Sequence, residues 1–221
     1  MAGNKVHTTK PLLILLYGFP GAGKTYFARQ LAENLAAAHV NSDRIRHELF
    51  EEPRYDKQEN AIVNQLMQYM TEEFLGAGIN VIYDMNAIRK SQRMALREMA
   101  RKKDAKTLVV WFQLDEETAF NRVKIRDKRK ADDKFSLEYS YDTFKRLIGH
   151  MQHPELEDYV VVSGKHVYQS QQTSFFKKLL ELGYVNTQYT QNKVVMPGMV
   201  NLVPRNNIGR VDLTRRNINI H

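Results

Sequence analysis

The chain has 221 residues, 43% of them hydrophobic and 26% charged, with 33 Lys+Arg against 25 Asp+Glu for a net charge of +8; this is the balance of a folded globular protein, not of a disordered or fibrous one. It has no cysteine, which excludes disulfide frameworks and Cys-ligated zinc or iron–sulfur centres, and no apolar run near the roughly 20 residues a membrane helix needs. Residues 1–10 lack a basic stretch followed by an apolar core and a small-residue cleavage site, so the expected location is the cytoplasm.

The first element is announced by Leu12, Leu13, Ile14, Leu15, Leu16 and Tyr17, a continuous apolar run that fits a strand covered on both faces of a parallel sheet. It ends at Gly18. Phe27, Leu31 and Leu35 then recur at four-residue spacing with alanine-rich filling through Ala38, so a helix follows the glycine-rich turn. A short strand is expected at His39 to Asn41, followed by a helix. Ile62, Leu66, Met70 and Phe74 mark one face of a further helix from about Gln58 to Leu75, stopped by Gly76 and Gly78. Strands are expected at Ile79 to Asp84, Thr107 to Leu114 and Tyr159 to Ser163. Between them fall helices at Lys90 to Lys103, from Asp115 as N-cap with Glu116 and Glu117 in the first turn, at Tyr141 to Met151, and at Ser174 to Leu182. Trp111 and the methionines read as core packing. His150 and His153 have no third ligand in any recognisable pattern, so no metal is expected there.

Strands alternating with helices predict an α/β fold, a mostly parallel five-stranded sheet with helices on both faces, with ligands at the C-terminal ends of the strands. The folded unit is expected over residues 1–185. Residues 186–221, polar and then alternating apolar, basic and Asn positions, read as a basic C-terminal extension, extended or a small β element. The positive excess is concentrated: residues 89–130 carry 14 basic and 6 acidic groups and residues 186–221 carry 5 and 1. Such segments favour phosphate-rich partners, nucleotides or single-stranded nucleic acid, although a solvated helix face and a basic tail produce the same count.

Gly18-Phe19-Pro20-Gly21-Ala22-Gly23-Lys24-Thr25 fits the pattern G-x-x-x-x-G-K-[ST] between a predicted strand and a predicted helix. The glycines let successive N–H groups turn inward on phosphate oxygens. Lys24 can neutralise the β and γ phosphates and Thr25 can coordinate Mg²⁺, while the positive end of the following helix adds to the attraction. Three further features choose among nucleotide chemistries. Asp43 and Arg46, three apart at the end of the second strand, could serve as a proton acceptor for an incoming hydroxyl and a clamp on phosphate, though Ser42 or Asp43 could equally be a helix cap. Asp84, ending the third strand, could order metal-bound water, buttress Arg46 through a bidentate pair, or simply be a strand-end turn residue, with Asn86 a weaker acceptor-side candidate. Arg122, Arg126 and Arg129, at spacings of four and three on one predicted helix before the polar turn Ala131, Asp132 and Asp133, fit an arginine-bearing lid, although with Lys124, Lys128 and Lys130 mixed in they also fit a solvated basic helix end.

The phosphate loop, the segment Asn41-Ser42-Asp43-Arg44-Ile45-Arg46, Asp84-Met85-Asn86 and the Arg122/Arg126 region, in this order and at these intervals, resemble the kinase domain of phage-type 5′-polynucleotide kinases. More loosely they resemble the wider group of P-loop kinases that includes zeta toxins and chloramphenicol phosphotransferases. The likeness covers about residues 11 to 152. It implies a P-loop kinase sheet and Mg²⁺-ATP as donor, Asp43 as general base, Arg46 on the acceptor and transferring phosphate, Asp84 supporting Arg46, and Arg126 as the leading lid arginine beside Arg122. The expected reaction is transfer of the γ-phosphoryl group to a 5′-hydroxyl of RNA or DNA. A small acceptor (nucleotide sugar, nucleoside or antibiotic) is the alternative, and a non-catalytic ATP-binding switch is a third. No Asp-x-Asp-x-Thr phosphatase run is present.

Overall fold

The structure is a computed structural model and describes residues 6–127, 134–135 and 140–185. Five strands, all parallel, form one sheet in the order β2-β3-β1-β4-β5. They are β1 (Leu12–Gly18), β2 (Ala37–Asn41), β3 (Asn80–Asp84), β4 (Lys106–Gln113) and β5 (Tyr159–Ser163), each where the sequence predicts a strand. The helices are α1 (Lys24–Leu35), α2 (Ser42–Leu49), α3 (Lys57–Gly76), α4 (Lys90–Lys102), α5 (Glu116–Lys124), α6 (Tyr141–Gly149) and α7 (Tyr168–Glu181).

Alternation along the strands separates two cores. Leu12, Ile14 and Leu16 of β1 pack with Phe27 and Leu31 of α1 and Phe175, Phe176 and Leu179 of α7. Leu13, Leu15 and Tyr17 face the other way, against Val63, Met67 and Leu75 of α3 and Leu96 and Ala100 of α4. Helices therefore cover both faces, as right-handed crossovers require. All seven residues of β1 are buried, whereas edge strand β5 leaves Tyr159 and Val161 exposed on one face.

Three expectations shift. The core face of α3 is Glu59, Val63, Met67, Thr71 and Leu75, and Ile62 is 43% exposed. The apolar stripe here is broad, with Ile62 beside Val63 and Leu66 beside Met67, and only packing decides its centre. α7 begins at Tyr168, six residues before Ser174, because Tyr168 and Gln171 already pack inward. Methionines divide between core and surface: Met67 is buried and Met94 is 56% exposed, while Trp111 is partly buried and stacks on His153 at 4.9 Å. Thr9 N–H donates to the Tyr184 carbonyl at 2.9 Å and Thr8 bridges Val185, so both ends of the described unit are tied together. Arg129, Ala131, Asp132, Asp133 and the extension at 186–221 lie outside the described residues.

Candidate functional site

β1 delivers the glycine loop to the C-terminal edge of the sheet. Gly18 has φ +153°, and a Cβ there would meet the Phe112 carbonyl at 2.7 Å; Gly21, at φ +85°, would drive a Cβ into the Ala119 carbonyl. Both positions need a residue without a side chain. Gly23, φ +90°, is the N-cap of α1 and supplies no side-chain hydrogen bond, so the first N–H groups of α1 stay available to an anion. Lys24 Nζ donates to the carbonyls of Gly18 at 2.9 Å and Phe19 at 2.8 Å, folded back across the loop. Burial, opposed by Asp84 and Asp43 and assisted by Arg126, lowers its pKa to about 8. The ammonium is still charged at neutral pH.

Parallel register sets Asn41 at the end of β2 beside Asp84 at the end of β3. Asn41 Oδ1 accepts from Arg44 N–H at 2.7 Å, capping α2, while its Nδ2 donates to Asp84 Oδ2 at 2.6 Å. His39 Nε2 lies 2.9 Å from the same oxygen, and the Thr25 hydroxyl donates to Asp84 Oδ1 at 3.4 Å. The helix cap is thus Asn41, not Ser42 or Asp43, and the Asp43 carboxylate in the first turn is left to the cleft. Burial first, then the neighbouring Asp84 charge, raise the Asp43 pKa to about 6 against the lowering pull of Arg126, Arg46 and Lys24. Those four side chains reach Asp43 electrostatically from α1, α2, β3 and the segment after α5.

Arg46 is 4% exposed and its partner is Glu59, not Asp84: Nη1 donates to Glu59 Oε2 at 3.2 Å and Nη2 to Asn60 Oδ1 at 2.5 Å. The expected Asp84 buttress is corrected by packing, since Asp84 is occupied by Thr25, His39 and Asn41 while α2 packs against α3, which carries Glu59 and Asn60. Glu59 also accepts the N–H groups of Arg54 at 2.9 Å and Tyr55 at 2.8 Å. Burial acts to raise the Glu59 carboxyl, but these backbone donors and the two arginines outweigh it and hold it below the usual range. Sequence reading misses Glu59 because Asp56-x-x-Glu59 has the form of a helix-capping pair, and Asp56 does cap α3. His39, Tyr55 and Asn60 carry no motif and become visible only through this packing.

α5 ends at Lys124, so Arg126 lies beyond the helix on which the spacing placed it. Ile125, 79% exposed, has nothing to bury and the helix is not extended. Arg122 stays on α5 and donates to the Gly164 carbonyl at 2.8 Å, linking it to the turn after β5. One cleft of about 1410 Å³ is lined by the loop from Pro20 to Thr25, Asp43, Arg46, Asp84, Asn86, Arg122 and Arg126. It exceeds the range of about 300–1,000 Å³ for a single small ligand, which suits a nucleotide plus an acceptor. Phe19 packs instead on the α5–α6 cluster through Phe144, centroids 6.4 Å apart, and Gly18 is enclosed under the loop.

The Thr25 hydroxyl and the Asp84 carboxylate are adjacent hard oxygens that could hold a divalent cation such as Mg²⁺. Among the described residues no three His, Asp or Glu side chains converge on one point, so the ion's other ligands would be phosphate oxygens and water. His153 is occupied otherwise, with Nδ1 3.0 Å from the Tyr17 hydroxyl. No helix of the described residues is long and apolar enough to cross a membrane.

A family profile described as an AAA domain matches residues 13–148. No curated protein matches the chain. Among solved structures, a gluconokinase from Sinorhizobium meliloti 1021 is similar at TM-score 0.57 and 17% identity, over 78% of this chain and 94% of that one. Kti12 from Chaetomium thermophilum, in complex with ADP-AlF3, is similar at 0.60 and 18%, over 79% and 100%. The APS kinase CysC of Mycobacterium tuberculosis, in complex with AMPPNP and APS, is similar at 0.57 and 14%, over 77% and 98%. The fold is that of the P-loop kinases.

Proposed function

The chain belongs to the AAA domain family, and on that premise we propose that it transfers the γ-phosphoryl group of ATP to an acceptor hydroxyl, the 5′-hydroxyl of a polynucleotide. The carrying observation is the meeting of Lys24, Asp43, Arg46, Asp84 and Arg126 at one cleft, with Asp43 freed from capping and its pKa at about 6. A base in that range is deprotonated at neutral pH yet still takes a proton readily.

In this reading the glycine loop, the N-terminus of α1 and Lys24 hold the β and γ phosphates. Thr25 and Asp84 hold Mg²⁺, which when bound neutralises charge on those phosphates. Arg46, fixed by Glu59 and Asn60, orients the acceptor and the transferring group, with Asn86 on the acceptor side. Asp43 takes the proton of the acceptor hydroxyl as its oxygen bonds to the γ-phosphorus; the bond to the β–γ bridging oxygen breaks and ADP leaves with that electron pair. Arg126, with Arg122 anchored beside it, offsets charge on the equatorial oxygens. The catalytic unit is residues 1–185 and the basic segment 186–221 supplements the hold on nucleic acid.

Gluconokinase and APS kinase are, by their names, kinases of small acceptors on the same fold, so the acceptor is what the test must decide. Incubation with γ-labelled ATP and 5′-hydroxyl oligonucleotides should label the 5′ end. Label on no oligonucleotide but on a small alcohol would move the assignment to a small-molecule kinase. Asp43→Asn should abolish transfer with ATP affinity retained; unchanged turnover removes Asp43 as the base.

A further inference from the structure

The acceptor side of the cleft carries aromatic groups that the phosphoryl transfer itself does not use. Tyr55 is in the left-handed region, φ +58°, a conformation a bulky residue adopts only when its surroundings impose it. Here Glu59 imposes it by accepting the Tyr55 N–H at 2.8 Å. The ring lies over the Arg46 guanidinium at 4.5 Å and its hydroxyl is 3.4 Å from His47 Nε2. His47 in turn packs on Phe135, ring centroids 5.2 Å apart and planes tilted by 37°. Arg46, Tyr55, His47 and Phe135 thus form a continuous row, buried at Arg46, half-buried at Tyr55 and Phe135 and exposed at His47. Tyr55 and Phe135 line the cleft, as do the cations Arg44, Arg89 and Lys134, and Lys134 Nζ sits 4.9 Å from the Phe135 ring centroid. Arg46 Nε and Asn86 Oδ1 are buried with no hydrogen-bond partner among the described residues, a donor and an acceptor that a bound molecule carrying oxygen and hydroxyl groups can satisfy.

Aromatic faces interleaved with cations beside a phosphate site are what a single strand needs, because every base has a π-face and every linkage a charge. An inorganic oxyanion would use the cations but not the rings. Resting on the polynucleotide reading above, we propose that Tyr55 and Phe135 form a stacking shelf for the 5′-terminal bases of the acceptor strand and so make this enzyme select oligonucleotides by their bases' presence, not their sequence.

The test compares two 5′-hydroxyl oligonucleotides of equal length, one natural and one abasic at its two terminal 5′ positions, in wild type, Tyr55→Ala and Phe135→Ala. Wild type should show a KM about ten-fold lower for the natural strand, the order expected of base–aromatic stacking. Each substitution should raise KM for the natural strand and shrink that ratio toward one, with the KM for ATP unchanged. Equal KM values for both strands in wild type overturn the shelf and leave the kinase assignment standing. A uniform loss on both strands in the variants makes the residues structural and overturns it as well. No transfer to either strand by wild type refutes the acceptor assignment and the shelf together.

Discussion

Asp43, the proposed base, shows how a carboxylate placed for chemistry is costly to the fold. Its pKa is raised from 3.8 to about 6 by burial and then by Asp84, so the ionised form is disfavoured in the native state. A group shifted upward contributes stability that is complete below its unfolded value and is lost as pH rises through the folded one, here between about 4 and 6. Asp43→Asn is therefore expected to raise Tm above pH 6 and to leave it little changed below pH 4, while transfer is lost; scanning calorimetry at the two pH values checks this. In the proposed reaction the same pKa would govern turnover. kcat/KM should fall about ten-fold per pH unit below about 6, since the base must be unprotonated, and a pH–rate profile flat down to pH 5 would exclude Asp43 from that role.

Among the elements, the glycine loop and the α2 cap separate steric from conformational cost. Gly21→Ala would press its methyl onto the Ala119 carbonyl of α5, whereas Gly23→Ala meets nothing within 4 Å and incurs only the positive φ. Gly23→Ala should thus cost about 1–2 kcal/mol, and Gly21→Ala more, together with loss of ATP binding; urea titration and nucleotide affinity distinguish them. Asn41 caps α2 and holds Asp84 with its two ends. Asn41→Ala should cost about 1 kcal/mol of stability and raise the Mg²⁺ requirement for turnover, a second effect that a cap alone would not produce. The elements were largely legible in the chain: apolar runs gave five strands, and Asp115 does cap α5, accepting Thr118 N–H at 2.9 Å. What failed was the choice of face on α3 and the end of α5, because two adjacent apolar stripes and a run of mixed Arg and Lys carry no local mark of which side meets the sheet.

For the molecule as a whole, the connection between α4 and the approach to β5 is a buried ion pair. Arg93, fully buried, donates to both oxygens of Glu157 at 3.0 and 3.1 Å and to the Ala87 carbonyl at 2.8 Å, and its guanidinium lies 5.2 Å from the Tyr17 ring just before the phosphate loop. Arg93→Met strands the Glu157 charge and should cost about 3–5 kcal/mol in urea unfolding, with Arg93→Met/Glu157→Leu recovering much of it. The role proposed for the basic segment 186–221 is tested at the same scale. Deleting residues 186–221 is expected to weaken oligonucleotide binding and flatten its salt dependence without changing ATP affinity; fluorescence titration across salt concentrations reads both.

The amino-acid order alone determined the phosphate cradle, since its glycines, Lys24 and Thr25 are consecutive and their geometry is a matter of local φ, ψ and the helix that follows. It also determined the layered α/β architecture, because apolar runs and helical spacing are properties of short windows. Only tertiary structure decided that Arg46 is held by Glu59 instead of Asp84, that Asn41 spares Asp43 from capping, and that Tyr55 lines the cleft beside Arg46. Those pairings join residues separated by other elements, and parallel strand register and helix packing, not neighbouring side chains, choose which of several carboxylates reaches a given arginine.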